Sequence, residues 1–95
     1  MRLVITKSDN SAKKWKAVFT DGDKHKTIHF GATGYEDYTQ HHDKERRTRY
    51  LTRHKDKENW NTAITAGSLS RWLLWGNSTS FQENLSAFKR RFHLL

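Results

Sequence analysis

The first third of the chain alternates apolar and polar residues with a period of two, which is the pattern of a half-buried β-strand. A short strand is predicted before the Ser-Asp-Asn-Ser turn at residues 8–11, and a second strand after it. The apolar positions of the two strands are Leu3, Ile5, Trp15, Ala17 and Phe19. Their parity predicts antiparallel β-structure with one buried face.

Asp21-Gly22 is the predicted centre of a two-residue hairpin, because both residues tolerate the positive φ that such turns require. The returning strand then covers residues 25–30 and ends at Gly31. A turn centred there predicts two cross-strand pairs, Val18 with His25 and Trp15 with Ile28. It also places Lys16 and His25 on one face of the hairpin and the aromatic positions on the other.

Beyond Gly31 the pattern becomes helical. Asp43 is the predicted N-cap or first-turn acid of a helix that runs to about Lys55, and residues 56–65 are predicted as a loop. Ser68 is the predicted cap of a short helix that stops at Gly76. The apolar residues of that short helix are Leu69, Trp72 and Leu73.

The clearest helix is predicted near the end of the chain, where Ser80 and Glu83 have the spacing of a capping box. Four apolar residues follow at i, i+4, i+7 and i+11, and these are Phe81, Leu85, Phe88 and Phe92. The whole chain is therefore predicted to be one α+β domain over residues 1–95, β-rich in 1–31 and helical in 42–95. An N-terminal hairpin or small three-stranded sheet precedes about three helices.

Composition narrows the possible functions. Hydrophobic residues make up only 34% of the chain but aromatic residues 13%, which predicts a small core of large side chains. The absence of Cys excludes disulfide scaffolds and Cys-based zinc modules, and it fits a reducing compartment. The sequence has no long apolar run, so it predicts neither a membrane span nor a secretory leader. The net charge of +8 and the pI near 10.1 favour anionic partners.

Most of that charge pattern lies in residues 41–57, which contain seven Lys/Arg, three Asp/Glu and three His. On a helix, Arg46, Arg49, Tyr50 and Arg53 share one side, and Arg47 lies about 100° round from Arg46. We expect this side to bind phosphate or carboxylate groups, with the Tyr50 ring presented to a base or a partner. The other predicted nucleic-acid or partner contacts are Lys55, Tyr35, Tyr38, Trp60, Lys89, Arg90 and Arg91.

Other interpretations of these residues stay open. The basic run could be a solvated helix face, or the arginines could be structural, either packing their stems or pairing with Asp37 and Glu45. A metal site of His41, His42 and His54 is disfavoured, because a helix over 43–55 separates them by more than about a dozen Å. Glu36 and Asp37 are adjacent and do not face one substrate, and a ββα nuclease lacks its ligand set. We therefore expect no catalytic residue, metal or cofactor.

Several phrases resemble a small family of uncharacterised proteins from large double-stranded DNA viruses of algae and protists. They are TIHFGATGYEDYT, HHDKERRTRYLTRH, ENWNTAITAGSLSRWLLWG and FKRRF, which lie between Lys14 and Phe92. The family pattern has a Pro after the Asn-Trp-Asn of residues 59–61, and this chain has no Pro. The resemblance implies a viral context: the virion, or the host cytoplasm or nucleus during infection.

Two functions follow as expectations. The first is a non-enzymatic minor structural protein of a virus particle, which contacts capsid or core proteins and packaged DNA. Its motivation is the supply of residue types that are enriched at interface anchors, with Arg beside them: Trp60, Trp72, Trp75, Tyr35 and Tyr38. The alternative is a nucleic-acid-binding protein for viral genome condensation or expression. Oligomeric state and the choice between DNA and RNA do not follow from the sequence.

Overall fold

The computed structural model describes all 95 residues and confirms the α+β class. Three strands come first: β1 (Arg2–Lys7), β2 (Lys13–Asp21) and β3 (Lys24–Ala32). The helices that follow are α1 (Tyr38–His41), α2 (Lys44–His54), α3 (Ala66–Leu69) and α4 (Phe81–Phe92). At its end α3 continues directly into a π-helical segment, Ser70–Leu74. None of the helices has the length and apolar character needed to cross a membrane.

The strands form one antiparallel sheet in the order β1-β2-β3. The predicted hairpin exists, but its turn is centred on Gly22-Asp23 and not on Asp21-Gly22, because Asp21 pairs with Lys24. Of the two turn residues only Gly22 has positive φ (61°), and a two-residue turn of the II′ class needs Gly at its first central position. The predicted pairs were therefore wrong by two positions along β3: Val18 pairs with Thr27 and Trp15 with Phe30. The shift is even, so the predicted faces are unchanged.

One face of the sheet is covered by the helices and the other is open. The inward residues pack against the segment from α3 to the π-helix and against α4, in a core of eight buried residues: Leu3, Ala17, Phe19, Phe30, Leu69, Leu73, Leu74 and Phe88. The backbone of Leu95 pairs with the outer edge of β1, donating to Met1 and accepting from Leu3. This contact covers an edge that would otherwise expose unpaired backbone groups.

Helix starts follow the capping residues. Asp43 is the N-cap of α2, as predicted, and its carboxylate accepts from the backbone N–H groups of Arg46 and Glu45. These hydrogen bonds lower the pKa of Asp43 below its usual value, and the bond from the Arg46 N–H has the largest effect. The cap predicted at Ser68 was wrong: Thr65 caps α3, and Ser68 is buried inside the helix. The sequence offered two hydroxyl residues three positions apart, and the earlier one starts the helix.

The apolar stripe of α4 is confirmed. Phe88 is fully buried and Phe81 stacks on Trp15 with ring centroids 4.6 Å apart. Ser80 accepts from the Glu83 backbone N–H, which is the first half of the predicted capping box. The second half is replaced, because the Glu83 carboxylate accepts from the Ser78 hydroxyl.

A tight corner joins the π-helical segment to α4. Asn84 is buried and its side-chain amide donates to the carbonyls of Leu73 and Ser78, at 3.1 and 2.8 Å. Its carbonyl oxygen accepts from the Ser78 backbone N–H at 3.1 Å. Gly76 lies so close that an added Cβ would be 2.4 Å from the Trp72 carbonyl oxygen and 2.7 Å from the Asn84 side chain. This corner therefore has no room for a side chain at position 76.

We predict that Gly76→Ala lowers the free energy of unfolding by about 1–3 kcal/mol, because the methyl group overpacks against backbone. Gly67→Ala is the matched comparison, since its Cβ would meet only the end of the Glu58 side chain, at 2.9 Å, and no backbone atom. At this helical position Ala favours the helix over Gly, and this gain offsets the cost of the contact with Glu58. The free energy of unfolding should therefore change by less than about 1 kcal/mol. Urea unfolding midpoints measure both variants. Equal midpoints for the two variants would contradict this account of the corner.

Candidate functional site

A groove lies between α2, α3 and the open end of the β2–β3 hairpin, where β2 begins and β3 ends. Its cavity volume is about 650 Å³, within the range of ligand pockets in proteins. The floor is apolar and aromatic, formed by Phe30, Tyr50, Leu74 and Trp75. Phe30 and Leu74 also belong to the core, so the groove floor is part of the folded interior.

Five cations line the groove, and we call them the groove cations: Lys13, Lys14, Arg46, Arg49 and Arg53. Three come from successive turns of α2, which confirms that Arg46, Arg49 and Arg53 share one side of the helix. The two lysines come from the start of β2. Lys13 pairs with Ala32 there, at the end of the sheet nearest the groove. Positive charge therefore faces the groove from two separate elements.

Three carboxylates also line the groove, and each has a partner. Lys14 Nζ is 2.8 Å from Asp37 Oδ2, and Arg46 is 3.7 Å from Glu36. Glu58 accepts from the indole N–H of Trp60 at 2.9 Å and lies 3.2 Å from His54 Nδ1.

The other groove cations, Lys13, Arg49 and Arg53, form no salt bridge. The alternative in which the arginines pair with Asp37 and Glu45 does not hold, because Lys14 binds Asp37 and Arg46 pairs with Glu36. The groove therefore keeps three cations without a carboxylate partner.

Tyr50 lies on the floor and not at the surface. Its ring stacks on Trp75 at a centroid distance of 4.3 Å and an interplanar angle of 4°, and His54 stacks on it at 4.2 Å. The residue is only 8% exposed, so the expectation that it presents its ring to a base was wrong. The physical reason is that α2 has few apolar side chains and needs this ring to attach to the core. Burial raises the pKa of Tyr50 well above its usual value of 10.

Arg47 also departs from the prediction, because it points inward. Its Nε donates to the carbonyls of Trp75 and Gly76 at 3.2 and 2.9 Å, and its Nη2 donates to Asn77 Oδ1 at 2.9 Å. These carbonyls lie at the negative end of the helix formed by α3 and the π-helical segment, where a cation is favoured. Arg47 therefore attaches α2 to the rest of the molecule and is not a free binding residue.

The remaining predicted contacts separate into two groups. Tyr35 lines the groove and is 75% exposed, whereas Tyr38 is buried. Outside the groove are the exposed Lys55, the half-buried Trp60 and the last-turn cations of α4: Lys89, Arg90 and Arg91. Of the predicted contacts, Tyr35, Arg46, Arg49 and Arg53 thus line one groove with exposed or half-buried side chains. The contacts predicted at Lys55, Trp60 and the end of α4 lie outside it.

Sequence reasoning did not assign Lys13, Lys14 or the groove carboxylates to the site. The correct hairpin register would have revealed the lysines, since it places Lys13 opposite Ala32 and next to the turn before Tyr35. The His residues considered for a metal are used separately. His41 packs against Trp75, His42 ends α1 with φ of 57°, and His54 meets Glu58. No group of three metal-ligating side chains is present.

Comparison with known proteins identifies one family. Its model, described as a family of unknown function (DUF5754), matches residues 3–54. This stretch contains most of the sheet, α1, α2 and all five groove cations. No curated protein and no solved structure shows significant similarity to the chain.

The buried Tyr50 gives a testable pH dependence. Its folded pKa is raised, so the phenol ionises near pH 10 only in the unfolded chain, and the free energy of unfolding falls as the pH rises above 10. We expect Tyr50→Phe to leave the tyrosinate absorbance of the native protein at pH 10–11 unchanged. In urea, where all three tyrosines ionise, the same variant should lose about one third of that absorbance. An equal loss in the native protein would contradict the burial of this phenol.

Proposed function

We propose that this chain, which belongs to the DUF5754 family, is a nucleic-acid-binding protein that holds a phosphodiester backbone along the rim of its groove. The observation that carries the proposal is the group of unpaired cations, Lys13, Arg49 and Arg53, on both sides of one groove. Guanidinium groups bind phosphate oxygens in a bidentate manner, and lysine adds a point charge. Phosphate contacts of this kind supply most of the affinity of non-specific nucleic-acid binding.

The spacing of the arginines fits a polymer of phosphates. Arg46 and Arg53 are seven residues apart on α2, which corresponds to about 10 Å along the helix axis. One strand of duplex DNA rises about 3.4 Å per phosphate along the duplex axis, so α2 lying parallel to that axis would span about three phosphates. The net charge of +8 extends the attraction beyond the contact residues and raises the rate of encounter with a polyanion.

Binding is favoured over catalysis by the state of two of the three groove carboxylates, Asp37 and Glu58. Asp37 also accepts from the backbone N–H and the hydroxyl of Thr39, in addition to its contact with Lys14. Glu58 is held by Trp60 and His54. A general base must reach the proton that it removes, and these carboxylates are already engaged within the fold.

A minor structural protein of a large DNA virus particle is the second proposal. Its specific support is Tyr35, an exposed ring beside cationic residues, since Tyr and Arg are enriched at interface anchors. The other aromatic residues expected to act as anchors pack within the molecule: Tyr38, Trp60, Trp72 and Trp75. This role therefore has less support than nucleic-acid binding. A protein that lies between capsid proteins and packaged DNA would use the groove for the DNA.

The proposal predicts which charges matter. Arg49→Gln combined with Arg53→Gln should weaken binding to a duplex oligonucleotide more than about tenfold at low salt, because two phosphate contacts are lost. The slope of log affinity against log salt concentration should become shallower by about 1.8, at about 0.9 per contact. Fluorescence anisotropy over a range of NaCl concentrations measures both quantities.

The matched control is Lys24→Gln combined with Lys26→Gln, which removes the same charge from exposed positions of β3 outside the groove. The control should retain most of the affinity and most of the salt slope. If both double variants lose affinity equally, the binding depends on net charge alone and the groove is not the site.

A further inference from the structure

One aromatic ring at the groove takes no part in the packing of the fold. Tyr35 is 75% exposed and is the only aromatic residue among the exposed large hydrophobic side chains. None of the aromatic pairs within the molecule includes it. A single exposed apolar residue is ordinary on a protein surface, but this one lines a groove that also carries unpaired cations.

The backbone holds Tyr35 between the two cationic sides of the groove. Its N–H donates to the carbonyl of Ala32 at 3.4 Å, and Ala32 pairs with Lys13 at the start of β2. The next residue, Glu36, lies 3.7 Å from Arg46 on α2. The residue is therefore tied on one side to the strand that carries the lysines and on the other to the helix that carries the arginines.

The charges around this ring favour phosphate elsewhere in the groove and a neutral group at the ring. Glu36 offsets the charge of Arg46, so the rim beside Tyr35 attracts a phosphate less than the unpaired groove cations do. A nucleobase is neutral and flat, and it stacks on an aromatic ring. The ring and the unpaired cations are thus suited to different parts of one nucleotide chain.

The groove matches the general pattern of sites for single-stranded nucleic acids. Such sites combine a positively charged groove, which follows the backbone, with aromatic side chains on which bases stack. Here the cations come from β2 and α2, and the exposed ring of Tyr35 lies between these elements. In a duplex the faces of each base are covered by its neighbours, and freeing a base has an energetic cost. An unpaired base presents its face without that cost.

We propose that Tyr35 stacks on an unpaired base of a nucleic acid whose phosphates are held by the groove cations. This role of Tyr35 rests on the proposed nucleic-acid-binding function and adds the class of nucleotide that the groove takes. The phosphate contacts act on single strands and duplexes alike, whereas the stacking contact forms only where a base is free. The groove consequently selects unpaired segments.

The test compares two single-stranded oligonucleotides of equal length by fluorescence anisotropy. One is an oligothymidylate, and the other has the same phosphates on abasic sugars, so the two differ only in their bases. The native protein should bind the oligothymidylate at least about fivefold more tightly, which is the effect of one stacked base. Tyr35→Ala should remove this preference. Its affinities for the abasic oligonucleotide and for a duplex should equal those of the native protein.

Two further substitutions separate the ring from its apolar bulk. Tyr35→Phe keeps the ring and should keep the preference, whereas Tyr35→Leu lacks a π-face and should lose most of it. The side chain is exposed, so all three variants should unfold at the native urea midpoint. Arg49→Gln combined with Arg53→Gln should weaken binding to both single strands by the same factor, because it removes phosphate contacts alone.

Equal binding of the two single strands by the native protein would overturn the role of Tyr35 and leave the phosphate contacts of the groove intact. A preference for bases that survives in Tyr35→Ala would overturn it as well, and so would equal losses of affinity for both single strands in that variant. If the native protein binds neither the single strands nor the duplex, the nucleic-acid-binding function fails, and the role of Tyr35 fails with it.

Discussion

The attachment of α2 depends on the carbonyl groups at the end of the π-helical segment, which follows α2 in the chain. Arg47 donates to Trp75 and Gly76 there, and Tyr50 stacks on the Trp75 ring. Tyr50 is the only buried residue of α2, so hydrophobic burial alone does not hold this helix in place. The polar and aromatic contacts on one side of α2 leave its other cations facing the groove. The same two residues thus fix the position of α2 and determine which arginines stay free.

The small hydrophobic core forms the floor of the groove that α2 borders. A chain of 95 residues with 34% hydrophobic content buries one compact cluster, and the edge of that cluster becomes the groove floor. Gly31 allows the close approach: its φ is +80°, and an added Cβ would lie 3.0 Å from Leu74. A larger residue there would push the end of β3 away from the π-helical segment that carries Leu74. The groove is consequently an outcome of core packing, with its charge supplied by residues that the core does not need.

Local patterns in the sequence predicted the elements well where one interaction dominates. The i, i+4, i+7, i+11 stripe of α4 and the Asp43 cap are such cases, because the spacing of a stripe and the capping of backbone N–H groups are both set by residues within one helix. Strand faces were also predictable, since parity survives the shift in hairpin register. The register itself was not, because Asp-Gly and Gly-Asp centres are both compatible with the Asp21-Gly22-Asp23 sequence.

The site was harder to predict because neighbouring residues of one type have different roles. Arg46 and Arg47 are adjacent residues of the same type, so the sequence gives no reason to assign them different roles. Only Arg47 reaches the carbonyls of Trp75 and Gly76 in the folded protein. Tyr35 and Tyr50 differ in the same way, one exposed and the other buried under tertiary packing. Lys13 and Lys14 reach the groove across the fold, so their role depends on long-range pairing. Such assignments need the tertiary structure.

The division of roles between Arg47 and Arg49 is the central claim, and one paired measurement tests it most directly. Urea stability and oligonucleotide affinity are measured for Arg47→Gln and for Arg49→Gln. We predict that Arg47→Gln lowers the free energy of unfolding by about 1.5–3 kcal/mol through loss of its charged hydrogen bonds. Arg49→Gln should change it by less than about 0.5 kcal/mol and should weaken oligonucleotide binding. A stable Arg47→Gln protein, or an Arg49→Gln protein that unfolds more easily but binds with native affinity, would contradict the account.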